Sequence, residues 1–352
     1  MTQLGLFGDA LLDGAPAGAR GAVTPASVSS ETRTIASQLP PTWRFGTSSW
    51  SFPGWRGSVW GDNDAPKGPL YSEQMLAKKG LPAYAANPLH RTVGVDRTHY
   101  APVAAAVLAE YAQAVPPDFR FLVKAHEACT LAMFPTHPRY GELRGQASPH
   151  FLDAGYARDM VVAPFVDGLG AKGGTLLFQF AAQPMEQLGG SPRKFAEQLF
   201  RFLRDLPTLP VDEHGHGPRY AVEVRNAKLL TNDYAAALRS AGAVHCFNLL
   251  PGMPTPSAQR RIVGEQALTV VRWMLAPHHT YATALASYGD FTALVERDAT
   301  ARREIADLLR ITLARKSDAL VIVNNKAEGS SPLSIRELAA ELRDQLFDEP
   351  PF

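Results

Sequence analysis

Eight apolar or β-branched runs, each followed by a turn cluster and most by a segment of helical patterning, predict a closed parallel (β/α)8 barrel. Two further observations favour that class. A length of 352 residues with 45% hydrophobic content suits a barrel of ~250 residues plus a tail better than two equal domains. No G-x-G-x-x-G or G-x-x-x-x-G-K-[ST] follows any run, so the rival open, doubly wound sheet lacks its usual nucleotide-binding signatures.

The runs fall at 44–50, 91–97, 119–124, 174–180, 220–225, 244–249, 268–273 and 318–324. The fifth is the most informative. Residues two apart on a strand share a side, so Ala221, Glu223 and Arg225 point one way and Tyr220, Val222 and Val224 the other. That pattern suits a barrel strand whose outer face meets helices and whose inner face ends in a polar site. Helical spacing of apolar residues marks 101–114, 192–206, 234–241 and 299–315. Long interruptions at 54–88, 125–149 and 249–265 each follow a strand, which assigns them to the rim where functional loops gather. From about Gly8 to Pro41 the chain is rich in Gly, Ala, Ser, Pro and Thr without a sustained apolar period, so residues 1–42 are expected to be a disordered, flexible N-terminal tail and 43–346 a single barrel domain.

The charge balance excludes some functions. A net charge of +1 and a pI near 7.8 give no global field for bulk nucleic-acid binding. Cys129 and Cys246 form no C-x-x-C or zinc-like spacing, which argues for a reducing compartment. Asp9 and Asp13 stand where a signal peptide needs a basic start, and no stretch reaches the ~18 apolar residues of a membrane span, so a cytoplasmic protein is expected.

Polar side chains concentrate at the strand ends: Lys124, Gln179, Glu223 with Arg225, Arg272, and Asn324 with Asn325. A barrel that needed only packing would finish these strands with aliphatic residues, because a buried polar group without a partner costs several kcal/mol. Ser48, Ser49 and Trp50 extend the first run, and Asp96, Thr98, His99 and Tyr100 the second, adding hydroxyl, carboxylate and aromatic edges.

Several of these residues fall in an ordered set of motifs: G-T-S-S-W-S-F-P-G-W from Gly46 to Trp55, V-K at Val123 and Lys124, L-L-F-Q ending at Gln179, A-V-E-V-R ending at Arg225, and V-N-N ending at Asn325. In order and spacing the set resembles the domain-of-unknown-function 72, or YecE-like, family over roughly Phe45 to Leu342. The resemblance implies a TIM-type barrel and brings no established activity. The chain departs from the family pattern at several points. V-G-V-D-R-T-H-Y from Val93 to Tyr100 replaces V-E-I-N-S-T-F-Y, which puts Gly94 in place of a carboxylate and His99 in place of a phenylalanine. An Arg-x-His-Gly pattern is reduced to Arg272-Trp-Met-Leu275, Asn248 stands near an expected aspartate, and Asn226, Leu229 and Leu230 replace the usual His and Trp. These departures mark a divergent member.

The residues support an enzyme acting by acid–base chemistry on a small polar or anionic substrate, without a cofactor. Glu223 and Lys124 are the catalytic candidates, Glu223 as acid/base and Lys124 with Arg225 as an electrostatic clamp. Glu223 and Arg225 can equally pair with each other as a structural solution for buried charge. Gln179, Asn324, Asn325 and Arg272 would orient the substrate, with Trp50, Asp96 and Tyr100 at the mouth. A ligand-binding barrel without turnover is the bland alternative. His99, His126, Glu127, His278 and His279 fall on the rim but match neither H-x-H nor H-E-x-x-H, so no metal ligand is assigned. Asp212 to His216 precedes the fifth run, which assigns it to the opposite, stability face. Cys246 reads as core, and Cys129 has no base partner. Finally, Gln3-Leu4-Gly5-Leu6-Phe7 resembles the short peptide by which bacterial repair proteins dock on the DNA sliding clamp; Leu4, Leu6 and Phe7 would fill an apolar groove while Gln3 orients the backbone.

Overall fold

The structure, a computed structural model, describes residues 22–61, 71–213 and 217–348. The proposed docking peptide at Gln3–Phe7 and the segment His214–His216 lie outside the described residues. Eight parallel strands, β1 Trp43–Thr47, β2 His90–Val95, β3 Arg120–Lys124, β4 Gly173–Phe180, β5 Arg219–Val224, β6 Val244–Leu249, β7 Leu268–Trp273 and β8 Asp318–Val323, close in chain order into a TIM-type barrel. The expected class and all eight runs are thus present. The first two runs end earlier than expected, because the chain turns away at Ser48 and Asp96.

Period-two alternation builds two separate cores. Leu122, Leu177, Ala221, Cys246, Val270, Leu320 and Ile322 fill the barrel interior, while Phe121, Val123, Tyr220, Val222, Val224 and Val271 pack outward against the helices. Gly46 serves the closure of β1 on β2. A Cβ there would lie 1.8 Å from Thr92 O, at the point where the register between the two strands shifts.

The outer helices start on predictable signals. Ser191 accepts from Lys194 N at 3.3 Å with a proline at the head of Pro192–Asp205, and Asp298 accepts from Ala301 N at 2.9 Å to begin Ala299–Arg315. The first of these helices buries Phe195, Leu199 and Phe202, each worth ~1.5–3 kcal/mol of hydrophobic stabilisation. Two expectations need correction. Residues 249–265 are not an extended rim loop, since Pro256–Val263 forms the helix that returns β6 to β7. Nor is the N-terminal segment flexible as far as residue 42. Ser29 caps a helix over Ser30–Gln38 whose Ile35 is fully buried, and Val23 is buried where Thr24 O and Ala26 N bond to Gly61 N and Val59 O. The low average apolarity of this segment hid Ile35 and Leu39, both buried and one helical turn apart, which with Val23 anchor it. Among the described residues no helix is long and apolar enough to cross a membrane.

Candidate active site at the carboxyl end of the barrel

The alternation that fills the interior also sets the site. One inward step beyond Leu122, Leu177, Ala221, Val270 and Ile322 stand Lys124, Gln179, Glu223, Arg272 and Asn324, so the polar layer caps the apolar one. Gln179 pairs in register with Glu223.

Glu223 lies at the centre and is fully buried. Its Oε1 accepts from Arg225 Nε at 2.7 Å, its Oε2 accepts from Arg272 Nη1, and the same Nη1 donates to Gln179 Oε1 at 3.0 Å. Burial alone would raise the Glu223 pKa, but the guanidiniums of Arg225 and Arg272 outweigh it and hold the carboxyl down near 2. This is the geometry of a counter-ion for two buried arginines, and it gives no support to proton transfer at Glu223 near neutral pH.

Lys124 is fully buried as well. Burial is the main cause that lowers its pKa to about 8; Asp96, with Oδ1 3.6 Å from Nζ, opposes the shift, and Arg272 and Arg225 add to it. Nζ has no hydrogen-bond partner in the protein. With Arg225 and Arg272 it makes three cations against the two carboxylates Asp96 and Glu223, which leaves one positive charge in the cluster.

Two clefts open at this rim. One of ≈ 570 Å³ is lined by His99, Tyr100, Arg139, Gln179, Arg225 and Tyr281, and the other, of ≈ 520 Å³, by Trp50, Ser49, Asp96 and Tyr100. Tyr100 lines both, with the Arg139 guanidinium 5.0 Å from its ring centroid. Trp50 packs edge-on to Tyr111 at 4.9 Å, and its Nε1 has no hydrogen-bond partner. Asn324 donates to Ser48 Oγ at 3.3 Å and its Oδ1 accepts from Lys326 N at 3.0 Å. Asn325, expected beside it as an orienting group, is committed elsewhere: its Oδ1 accepts from Trp55 Nε1 at 3.0 Å and from Ser331 N and Oγ at 2.9 and 2.8 Å.

Sequence reasoning missed Tyr281 and Arg139 altogether. Tyr281 opens the helix Tyr281–Tyr288 beyond β7, is partly buried, and carries a buried hydroxyl without a hydrogen-bond partner; burial raises its pKa. Arg139 reaches back from a long loop to Glu127 Oε2 at 2.7 Å. No periodicity marks a loop residue that folds back or the first residue of a short helix, so neither carried a signal. His99 and Glu127, noted on the rim, do meet: His99 Nδ1 donates to Ala125 O at 3.1 Å and Nε2 stands 3.6 Å from Glu127 Oε2. Burial first, then Lys124, keeps His99 neutral, while burial raises the Glu127 carboxyl against Arg139. Cys129 is buried and its thiol is pushed up to about 12 by burial, so it is no thiolate; Cys246 is core. Asp212 lines a cavity with Arg44 and Asp318, at the amino-terminal end as expected. Gly94 stands against β1, where a Cβ would approach Ser48 O to 2.9 Å, so a longer side chain at this position would require the backbone to move.

Fold and site together define a TIM-type barrel with a buried, net-positive polar cluster beneath the clefts at its carboxyl-terminal rim. Residues 44–351 match the family model described as "Protein of unknown function DUF72", and the chain belongs to that family. Among solved structures, a DUF72 family protein from Thermotoga maritima MSB8 is 17% identical, with 87% of this chain and 99% of that chain covered and a TM-score of 0.51. Another, from Enterococcus faecalis V583, is 15% identical, with coverages of 88% and 97% and a TM-score of 0.50. At such identities the likeness establishes the barrel alone. No curated protein matches the chain.

Proposed function

We propose that the carboxyl-end mouth binds a small anionic molecule and transfers a proton to or from it, with Lys124 as the acid/base and Arg225 and Tyr281 as the groups that hold the anion. Glu223 is then a positioning residue that fixes Arg225 and Arg272. The observation that carries this reading is a surplus of donors: Lys124 Nζ and Arg272 Nε in the cluster beneath the clefts, Tyr281 Oη in the wall of one cleft and Trp50 Nε1 in the wall of the other are buried without a protein hydrogen-bond partner. Each can donate, and an acceptor-rich ligand satisfies such a set where another donor would not. The single positive charge left in the cluster also favours an anionic ligand. A lysine with a pKa near 8 holds and releases a proton close to neutral pH, which a carboxyl near 2 does not.

Tyr281→Phe separates binding from folding. The hydroxyl it removes is buried without a hydrogen-bond partner, so stability should stay level or rise by up to ~1 kcal/mol. Affinity for inorganic phosphate or malonate, followed by thermal melting, should fall about tenfold or more, as for a lost hydrogen bond to a charged group. A variant that melts lower than the parent and binds these anions equally well would remove Tyr281 from the site; absence of any saturable effect of either anion on the parent would remove the anion reading itself.

A further inference from the structure

Outside the mouth cluster, His278 and His279 follow β7, and Glu296 lies beyond the helix Tyr281–Tyr288, 18 and 17 positions along the chain from the two rings. The three side chains nevertheless converge. His278 Nε2 lies 2.7 Å from Glu296 Oε2, His279 Nε2 lies 3.3 and 3.2 Å from Oε1 and Oε2, and one ligand atom from each residue falls within 4.8 Å of the others. Donors around a tetrahedral ion with bonds of ~2.0–2.1 Å stand about 3.3 Å apart, so small adjustments suffice to seat one.

A second observation concerns the direction of the donors. Thr283 Oγ1 lies 3.0 Å from His279 Nδ1 and 3.2 Å from Thr280 O, and it accepts from Thr280 N at 2.8 Å, so the Nδ1 edge of the ring is engaged while its Nε2 edge faces the carboxylate. With Nδ1 bonded to Thr283 Oγ1 as donor, Nε2 is the lone pair that a metal ion takes, and a cation between Nε2 and the carboxylate satisfies both. Thr283 is itself fixed by the capping box it forms with Thr280. Glu296 Oε2 accepts from Tyr288 Oη at 3.0 Å, and the Tyr288 ring packs against His279 at 5.2 Å. Ligating histidines and carboxylates carry such orienting partners. The His279 side chain is 10% exposed while His278 is 65% exposed, so the cluster is supported on one side and open to water on the other.

We propose that His278 Nε2, His279 Nε2 and the Glu296 carboxylate form a binding site for a divalent transition-metal ion of the zinc class, with its remaining coordination open to solvent. Two imidazoles and one carboxylate suit zinc, cobalt or nickel better than calcium or magnesium, which prefer all-oxygen sites. The ion would clip the segment after β7 to the segment preceding Ala299–Arg315. Tyr281, two residues beyond His279, would be held in place at the cleft by the same clip.

The full chain, stripped with EDTA, is titrated with Zn2+ by calorimetry and with Co2+ by visible absorption. One equivalent should bind, and the cobalt complex should give the intense absorption of a low-coordinate site. His278→Ala, His279→Ala and Glu296→Gln should each weaken Zn2+ binding at least about tenfold, and Thr283→Val, which leaves the ligands intact, by roughly 10–100-fold. His278 is exposed, so its variant remains informative if Glu296→Gln fails to fold. Absence of stoichiometric binding by the parent, or Zn2+ affinity unchanged in both His278→Ala and His279→Ala, would overturn the site.

Discussion

Lys124→Met is expected to stabilise the fold at pH 7 by about 1–3 kcal/mol while abolishing anion binding at the mouth. The ammonium is fully buried, and burial lowers its pKa from 10.5 to about 8, a differential cost of about 3 kcal/mol against the charged form. Methionine fills a similar volume without that cost. Asp96 loses its ion pair but is 19% exposed, so water can take over part of its solvation. The pH dependence gives an internal control. Below about pH 8 both folded and unfolded chains hold the proton on Lys124 and the cost is present in full. Between about 8 and 10.5 the unfolded chain binds a proton that the folded chain does not, so this group's contribution to stability rises with pH. The stability gap between Lys124→Met and the parent, from denaturant unfolding at several pH values, should therefore narrow across that window. A gap that stays constant with pH, or a variant less stable than the parent at pH 7, would show that Lys124 is not a desolvated cation.

Glu223→Gln should do the reverse and destabilise the barrel by about 3–5 kcal/mol, because Arg225 and Arg272 would lose the carboxylate that both contact while remaining buried. Here the folded pKa is depressed, from 4.5 to about 2. The stability it supplies is fully present above 4.5 and is lost as pH falls toward 2, where the folded carboxyl also takes a proton. Parent and variant should accordingly converge in stability on acidification through that range. If Glu223 were instead the acid/base of a reaction, Glu223→Gln would fold as well as the parent and lose only turnover.

The barrel was legible because its determinants are local and periodic. Alternation along 220–225 assigned Ala221, Glu223 and Arg225 to one face, and the structure has Ala221 in the inner core with Glu223 bonded to Arg225. The same alternation brought Lys124, Gln179 and Arg272 to one rim. The pairing within that rim was not legible, since Arg272 meets Glu223 from a strand 49 positions away in sequence. Which of two carboxylates serves as a clamp, and which amine is desolvated, depends on such distances and not on residue type. Arg139 and the pairing of His279 with Glu296 come from the connections after the strands, and Tyr281 from the first position of a helix, where no period fixes the direction of a side chain. The helix Ser30–Gln38 was missed for the opposite reason: average composition concealed the few apolar residues that anchor it.

The surplus of buried donors at the carboxyl-terminal rim is tested most directly by diffraction from crystals soaked in selenate, an anomalous scatterer that stands in for phosphate. An anomalous peak within hydrogen-bond reach of Lys124 Nζ and Tyr281 Oη, absent in crystals of Lys124→Met, is the expected result. A mouth without a peak at saturating selenate, or one whose peak is unaffected by loss of the lysine, would contradict it.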